Sequence, residues 1–210
     1  IKVNGGGNSD FDVKMTNGAI IENAKTAVSM YPHSVSWPAH QTNDNGILIA
    51  ENSSFLNCDR AAAFISHTPQ ENESEIKNCL IDGGVDAITN WNCQGIAIYD
   101  NTTIENVSNS CVLTIDGSFD IDDCSFTAGK YDVVFLETLN SYSSRLTNND
   151  FYGPTGVRAD GASYSFNWYS DNTFFNTERG MDFEGDHFYF VENNTFDGSP
   201  IGMLCANTGS

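Results

Sequence analysis

The stretch ENNTFDGSPIGM, residues 192–203, combines a polar segment, a phenylalanine, a turn with Gly and Pro, and a new apolar segment. Similar phrases occur earlier in the chain, as SDNTFFNTERGM (170–181), TNNDFYGPTGV (147–157) and DDCSFTAGKYDVV (122–134). A sequence motif that recurs with a period of roughly 20 to 50 residues is typical of repeat proteins. The sequence therefore predicts a stack of similar units, each of which packs on its neighbours.

The repeated unit has four positions: Asn or Asp, any residue, a mostly small or polar residue, and Phe or Ile. Its eight copies are separated by 35, 26, 23, 22, 25, 23 and 22 residues. Segments with alternating polar and apolar residues lie on both sides of each copy, which indicates short strands with one buried face. The residues that head the eight units are Asn17, Asn52, Asn78, Asn101, Asp123, Asn148, Asp171 and Asn193.

Three short strands per repeat of about 23 residues predict an all-β fold, a right-handed parallel β-helix solenoid of about eight turns. The right hand is expected because parallel crossover connections have this chirality. Successive turns stack about 4.8 Å apart, so equivalent residues form columns along the axis. We interpret the Asn and Asp heads as a structural ladder of hydrogen-bonded side chains. The Phe or Ile three residues later is expected to form a column in the core.

The chain is expected to be a single β-helix domain, residues 1–210, that belongs to a longer protein, since it begins with Ile1 and neither end carries a capping helix. The spacing of 35 residues exceeds the spacing of 23 by 12, which indicates a loop insertion at 31–45. Long loops on a rigid scaffold commonly carry binding residues. His33 and Trp37 in this loop are therefore candidate functional residues.

The charge balance limits the classes of partner. The chain has 28 acidic and 9 basic residues, a formal net charge of −19. Phosphate-rich partners need Lys and Arg, so nucleic acid and anionic membranes are not expected to bind. No apolar run approaches the roughly 20 residues of a membrane helix, so no membrane insertion is expected. These features fit a secreted or cell-surface protein.

The six cysteines are not expected to form a disulfide framework. Cys79 and Cys124 occupy the same position in units that lie two turns apart, about 9.6 Å, which is too far for a disulfide bond. We expect buried free thiols that pack as small apolar residues. No C-x-x-C spacing is present, which argues against a structural zinc site.

Two basic residues are candidates for catalysis. Lys25 and Arg60 each lie five residues after the last position of their unit, so they are expected to be neighbours in adjacent turns. Such a pair could contact the carboxylate of a uronate. Alternatively, the two side chains neutralise Asp59 and Asp86. The second interpretation is preferred.

The segment MDFEGD contains the candidate metal ligands Asp182, Glu184 and Asp186 at alternate positions. On a continuous strand they would project from one face, and oxygen ligands at this spacing could hold Ca²⁺. The alternative is a solvated acidic face, and no other cofactor is expected.

Tryptophan side chains could stack on sugar rings. Trp37 and Trp91 are the candidates for ligand binding, and Trp91 is expected to be exposed at a turn corner. Trp168 alternates with Phe166 and is expected to lie in the core.

The repeats throughout the chain resemble those of the pectin-lyase-like superfamily. Of the polygalacturonase-type motifs, only DD occurs, at 122–123, and G-H-G and R-I-K are absent. A closer resemblance rests on GAIIENAKTAVSM (18–30), on WPAHQTNDNGILIAENSSFLNCDRAAAFIS (37–66) and on AITNWNCQGIAIYDNTTIEN (87–106). These segments are similar to the β-helix region of large Bacteroidetes surface proteins exported by type IX secretion. The resemblance implies an exported protein at the cell surface that contacts polysaccharide.

Three functions remain open at this point. The first is a non-catalytic β-helix module of an exported surface protein that binds glycan or acts in adhesion. The second is a lyase or hydrolase that acts on an acidic polysaccharide. The third is a secreted passenger whose activity lies in other domains. The first is preferred because each enzyme motif considered is missing or incomplete. The expected partners are polysaccharide or other surface and secretion components.

Overall fold

The computed structural model describes residues 2–5, 12–32, 46–137, 143–161, 166–185 and 188–206. These residues form β-strands joined by turns, and the described strand pairs are parallel. The prediction of an all-β parallel solenoid is confirmed. The hand of the coil stays a prediction. No helix long and apolar enough to span a membrane is found among the described residues.

The strands, numbered in chain order, form three sheets that contain nine, eight and eight strands. Sheet A contains β1 Lys2–Gly5, β4 Val28–Pro32, β7 Ala62–Glu71, β10 Asp86–Gln94, β13 Ser110–Ile115, β16 Tyr131–Glu137, β19 Thr155–Gly161, β22 Arg179–Gly185 and β25 Ile201–Ala206. Sheet B contains β2 Asp12–Met15, β5 Ile47–Glu51, β8 Glu75–Lys77, β11 Ile96–Tyr99, β14 Phe119–Asp122, β17 Arg145–Thr147, β20 Phe166–Ser170 and β23 Phe188–Glu192. Sheet C contains β3 Ile20–Glu22, β6 Ser54–Leu56, β9 Leu80–Asp82, β12 Thr102–Val107, β15 Cys124–Ala128, β18 Asp150–Phe151, β21 Thr173–Phe175 and β24 Thr195–Asp197.

The predicted core column lies on the inner face of sheet C. The Phe and Ile residues of seven units pair in register, and all but the last are fully buried. The rings of the four C-terminal members stack with successive centroid distances of 5.4, 4.7 and 5.0 Å. This contact of like side chains fills the core along the axis. The column consists of Phe55, Ile81, Ile104, Phe126, Phe151, Phe174 and Phe196.

The first unit departs from the predicted column by one residue. Ile21, and not Ile20, pairs with Phe55, and Ile20 is 61% exposed. The turn before it contains two consecutive residues in the left-handed conformation, Asn17 and Gly18. The extra residue in this turn shifts the strand by one position, which exchanges its inner and outer faces.

The Asn and Asp heads share one backbone property. All eight are exposed, and all have φ between 47° and 60°. Asn and Asp tolerate this left-handed conformation better than other residues with a Cβ atom. The predicted ladder is found at one pair of heads, where Asn78 Nδ2 donates to Asn52 Oδ1. The heads are therefore selected mainly for the backbone bend between sheets B and C.

A buried ladder lies one residue after the heads, and we call it the corner column. Its C-terminal members are Asn149, Asn172 and Asn194. Asn172 Oδ1 accepts from the backbone N–H of Asn149 at 2.9 Å, and Asn172 Nδ2 donates to Asn194 Oδ1 at 2.9 Å. The corner column thus gives backbone groups at the bend side-chain partners. It consists of Ser53, Cys79, Thr102, Cys124, Asn149, Asn172 and Asn194.

Six members of the corner column donate to the same kind of acceptor. Each side chain donates to the carbonyl oxygen of an inward-facing residue in the sheet-B strand of the preceding turn. The distances from donor to acceptor are 2.7 to 3.5 Å. The acceptors are the carbonyl oxygens of Ala50, Ile76, Ile98, Ile121, Leu146 and Tyr169.

The corner column explains two of the cysteines. The thiols of Cys79 and Cys124 occupy positions where other turns have Thr or Asn, and each contacts two carbonyl oxygens. Burial raises the pKa of both thiols above the ordinary value. All six cysteines are free, as predicted, and five are buried. The prediction of burial is wrong for Cys205, which is exposed. The sequence interpretation missed that these two thiols act as hydrogen-bond donors.

The backbone of Gly156 in sheet A lies very close to an aromatic ring. A Cβ atom added to Gly156 would lie 2.5 Å from the ring of Phe174 and 2.8 Å from the carbonyl oxygen of Gly180. Phe174 cannot move away, because its ring is stacked between Phe151 and Phe196. This position therefore has no room for a methyl group.

We expect Gly156→Ala to lower the free energy of unfolding by about 1–3 kcal/mol, because it overpacks the core. Urea denaturation followed by far-UV circular dichroism measures the change. The double variant Gly156→Ala/Phe174→Leu is the control, since a smaller ring-free side chain should recover part of the loss. A loss of the same size in both backgrounds, relative to each parent, would contradict the proposed clash.

Candidate functional site

Sheet B presents two outward columns that together form a shallow surface, which we call the sheet-B groove. Its strands alternate strictly, so every second side chain faces away from the core. The first column is Glu75, Ala97, Asp120, Arg145, Trp168 and Phe190. The second column is Lys77, Tyr99, Asp122, Thr147, Ser170 and Glu192.

In the described part of the chain, three adjoining depressions lie in or beside this groove. One of about 350 Å³ lies between Tyr99 and Arg145, and one of about 300 Å³ reaches from Arg145 to Trp168. A third, of about 420 Å³, lies beside the groove at the corner with sheet A, between Glu71 and Ser143. Adjacent depressions share lining residues, so they form one continuous open surface along the axis.

Two exposed aromatic rings in the groove stack face to face, and we call this pair the aromatic platform. The rings of Trp168 and Phe190 are stacked with centroids 4.5 Å apart and an interplanar angle of 8°. The two side chains are 38% and 41% exposed, and Phe166 on the same outer face is 45% exposed. Exposed aromatic side chains that are adjacent in space commonly mark a binding surface.

The prediction that Trp168 lies in the core is wrong. The buried residues of β20 are Asn167 and Tyr169, and Trp168 and Phe166 lie on the opposite face. The strand register decides this, because Tyr169 pairs with Leu146 of the preceding turn, which is a core residue. Alternation alone could not tell which set of aromatic residues faces inward.

Arg145 lies directly beside the aromatic platform. It pairs with Trp168 in the next strand and with Asp120 in the preceding strand. Its side chain is exposed, and among the described residues it takes part in no ion pair. A guanidinium group in this position has its donors available to a ligand that lies on the rings.

Polar contacts fix the other end of the groove. The hydroxyl of Tyr99 donates to Glu75 Oε2 at 2.8 Å. Lys77 Nζ lies 3.1 Å from Asp100 Oδ2 and 5.3 Å from the centre of the Tyr99 ring. Partial burial, and then the contact with Glu75, raise the pKa of Tyr99 to about 12. The tyrosine is therefore a neutral, oriented side chain at ordinary pH.

The candidate basic pair lies at another corner of the solenoid. The backbone N–H of Arg60 donates to the carbonyl oxygen of Lys25 at 3.2 Å, so the predicted adjacency in neighbouring turns is confirmed. Both residues lie between sheets C and A, and neither lines the three depressions of the groove. Their proposed catalytic role stays a prediction. His33 lies outside the described residues.

The structure describes one of the two candidate tryptophans, Trp91. Trp91 is 52% exposed, as predicted. It lies within β10 of sheet A and not at a corner between strands, next to a register shift that separates Trp91 from Cys93. The side chain of Asn90 bridges this irregularity through bonds to Cys93. Trp37 lies outside the described residues.

The candidate metal ligands are engaged with arginines. Asp182 and Glu184 lie on the same face of β22, as predicted, but Arg179 Nη1 contacts Asp182 Oδ2 at 2.6 Å. Arg158 contacts Glu184 at 3.4 Å and Asp160 at 3.1 Å. Asp186 lies outside the described residues, and the part of the chain that the structure describes contains no group of three His, Cys, Asp or Glu residues that could hold a metal ion.

The sequence interpretation missed Arg145, Asp120 and Phe190 as site residues. A signal was present, because the repeat spacing of 23 aligns Arg145 with Trp168 and a spacing of 22 aligns Trp168 with Phe190. The resulting groove offers a stacking platform, guanidinium donors and carboxylate acceptors. No protein-family model matches the chain, and no curated protein matches it in sequence.

Proposed function

We propose that this chain is a non-catalytic glycan-binding module of an exported cell-surface protein, and that the sheet-B groove is its binding surface. The observation that carries the proposal is the exposed pair Trp168 and Phe190, stacked face to face, beside Arg145, which takes part in no ion pair within the described part of the chain. The apolar face of a sugar ring packs well on an aromatic ring, and its hydroxyls need donors and acceptors at the edge. Arg145 and Asp120 supply both.

The exported, cell-surface part of the proposal has two supports. The net charge of −19 disfavours nucleic acid and anionic lipid as partners. The repeated sequence motifs resemble those in the β-helix regions of Bacteroidetes surface proteins of the pectin-lyase-like type. Those proteins leave the cell by type IX secretion. A solenoid with a binding groove along one sheet fits an adhesive or glycan-binding role at the cell surface.

The lyase alternative is less well supported by the geometry. A lyase needs a base close to the bound uronate. Lys25 and Arg60 lie at the corner between sheets C and A, outside the groove that offers the stacking platform. The geometry therefore favours binding without cleavage.

The experiment that tests the proposal compares two tryptophans. We expect Trp168→Ala to weaken glycan binding about tenfold or more, because a central stacking side chain is lost. Trp91→Ala is the matched control, since Trp91 is also exposed but lies on sheet A. Affinity electrophoresis in gels that contain single polysaccharides, followed by titration calorimetry, measures both variants. Equal binding by wild type and Trp168→Ala would contradict the assignment of the groove.

A further inference from the structure

We infer that the glycan bound by the sheet-B groove is a polymer of amino sugars, whose ammonium groups pair with the carboxylates of the groove. This inference rests on the proposed function, and it names the class of glycan. Three observations carry it: the excess of carboxylates in the groove, a small residue between two of these carboxylates, and a buried amide donor that no described residue satisfies.

The groove carries more negative than positive charge. Its two outward columns contain four carboxylates and two basic residues, and one of these basic residues, Lys77, is paired with Asp100. Two further carboxylates line the depression at the corner with sheet A. The net charge of −19 gives a field of the same sign at longer range, so a cationic ligand is attracted before contact as well as in the groove. The carboxylates of the groove are Glu71, Glu73, Glu75, Asp120, Asp122 and Glu192.

The first column has room for a cation between two carboxylates. Ala97 lies between Glu75 of the preceding strand and Asp120 of the following strand, and it lines the depression of about 350 Å³. The hydroxyl of Tyr99 donates to one oxygen of Glu75, which orients this carboxylate and leaves its other oxygen to accept. Equivalent residues on adjacent strands are about 4.8 Å apart. An ammonium group over Ala97 is therefore within reach of both carboxylates.

Arg145 lies apart from this cation position. In the first column, Asp120 lies between Ala97 and Arg145, so the guanidinium group belongs to a strand about 9.6 Å further along the axis. Its donors can reach hydroxyl and ring oxygens of a sugar that lies beside Trp168. An amino sugar carries an ammonium group and several oxygen acceptors, so it matches both parts of the groove.

A buried amide group indicates that the ligand also brings oxygen acceptors. Asn72 is 4% exposed and lines the depression at the corner with sheet A. Its Oδ1 accepts from the backbone N–H of Ser74 at 2.9 Å, whereas its Nδ2 has no hydrogen-bond partner among the described residues. A buried donor without a partner is unfavourable. A hydroxyl oxygen of a sugar in this depression would supply the acceptor.

A basic peptide is the other ligand that combines cations with oxygen acceptors. Its charges lie at the ends of long side chains, and the ordering of each side chain on binding costs conformational entropy. The ammonium group of an amino sugar is fixed close to a rigid ring, so less entropy is lost when it pairs with a carboxylate. The exposed aromatic side chains of the groove also favour a sugar.

The test compares four ligands of equal length by titration calorimetry: the hexamers of glucosamine, N-acetylglucosamine, galacturonate and lysine. The first two have the same backbone and differ in the charge of the amino group at mildly acidic pH. We expect the glucosamine hexamer to bind at least about tenfold more tightly than the other three at low salt. The advantage should shrink at high salt, because the ion pairs are screened. Equal or tighter binding of the N-acetylglucosamine or galacturonate hexamer would overturn the inference.

A charge variant locates the cation. Asp120→Asn/Asp122→Asn removes two exposed carboxylates of the groove and keeps side chains of the same size. We expect this variant to bind the glucosamine hexamer about tenfold or more weakly at low salt. Asp59→Asn/Asp197→Asn is the matched control, since it removes the same charge from exposed positions outside the three depressions. Equal losses in both variants would show that the overall charge, and not the groove, attracts the ligand.

A second variant tests the amide. Asn72→Ser keeps a side-chain oxygen that can accept from the backbone N–H of Ser74, and it removes the donor without a partner. We expect about threefold or more weaker binding of the glucosamine hexamer, with thermal unfolding as the check that the variant is folded. Binding equal to that of the wild type would overturn the assignment of this amide to the site.

The outcomes separate this inference from the proposed function. Binding of a neutral or acidic glycan that Trp168→Ala abolishes, with no gain from free amino groups, would keep the groove as a glycan site and overturn the selection of amino sugars. A lysine hexamer that binds as tightly as the glucosamine hexamer would show a site for cations in general and would overturn it as well. Failure of all four hexamers to bind overturns this inference, whereas the proposed function fails if Trp168→Ala leaves glycan binding unchanged.

Discussion

Replacement of Asn172 by alanine is expected to lower the free energy of unfolding by about 3–5 kcal/mol, one of the largest losses available in this chain. Asn172 is buried in the corner column and takes part in four side-chain hydrogen bonds. Alanine would leave the backbone N–H of Asn149 and the carbonyl oxygen of Leu146 without these partners. A buried polar group without a partner costs about 1–3 kcal/mol.

The control for this variant is the preceding residue. Asp171 heads the same unit, is exposed, and has φ of 57°. Asp171→Gly keeps the left-handed bend, so we expect a change within about 0.5 kcal/mol. Urea denaturation monitored by tryptophan fluorescence compares the two variants. If the two substitutions cost the same, the buried amide ladder does not hold the turns together.

The second large effect is a dependence of stability on pH that arises from Asp132. This residue lies in β16 with no exposed surface, and burial raises the pKa of its carboxyl group from 3.8 to about 8. The backbone N–H groups of Ala128 and Gly153 donate to its two oxygens at 2.8 and 2.7 Å. These bonds favour the charged form, but the cost of burial is the larger effect.

The sign follows from proton binding. Between pH 3.8 and about 8, the folded protein keeps a proton on Asp132 that the unfolded chain has released. The stabilisation that this proton on Asp132 contributes is therefore fully present below about pH 4 and is lost as the pH rises to about 8. The slope from this single group is at most about 1.4 kcal/mol per pH unit. Summed over this interval, the loss is on the order of several kcal/mol.

The measurement is urea denaturation at pH values from 5 to 9 for the wild type and for Asp132→Asn. We expect the variant to show a flatter dependence below about pH 8, because its amide does not titrate. Repulsion among the many other carboxylates acts equally in both proteins, so the difference between the two slopes isolates Asp132. Parallel slopes would mean that the backbone donors keep the carboxylate charged in the folded state.

The fold could be predicted from the sequence because one period governs the whole chain. From Asn52 onward, every predicted column position has its expected partner, since each spacing equals the strand register of sheet C. The first unit failed because a second left-handed residue, Gly18, adds one position to its turn. An extra residue within a turn leaves the spacing of the polar heads intact and is therefore not visible in the period.

The candidate site was less predictable, for a physical reason. Single-strand alternation defines two faces but does not state which face is buried when both carry aromatic side chains, as in β20. The choice is made by the neighbouring strands, where Leu146 and Val191 flank Tyr169 and leave Trp168 outside. Arg145 had no motif of its own, and only its alignment with Trp168 identifies it as a candidate residue.

The common register of the three sheets has a consequence for length variation in proteins of this kind. Gain or loss of a complete turn, about 23 residues, leaves the corner column and the stacked phenylalanines aligned. Gain or loss of one residue within a strand exchanges the two faces of that strand. The corner column and the phenylalanine stack then both lose their alignment. Insertions and deletions are therefore tolerated in units of whole turns or inside the connecting loops. The number of turns then sets the length of the sheet-B groove without any change in the core.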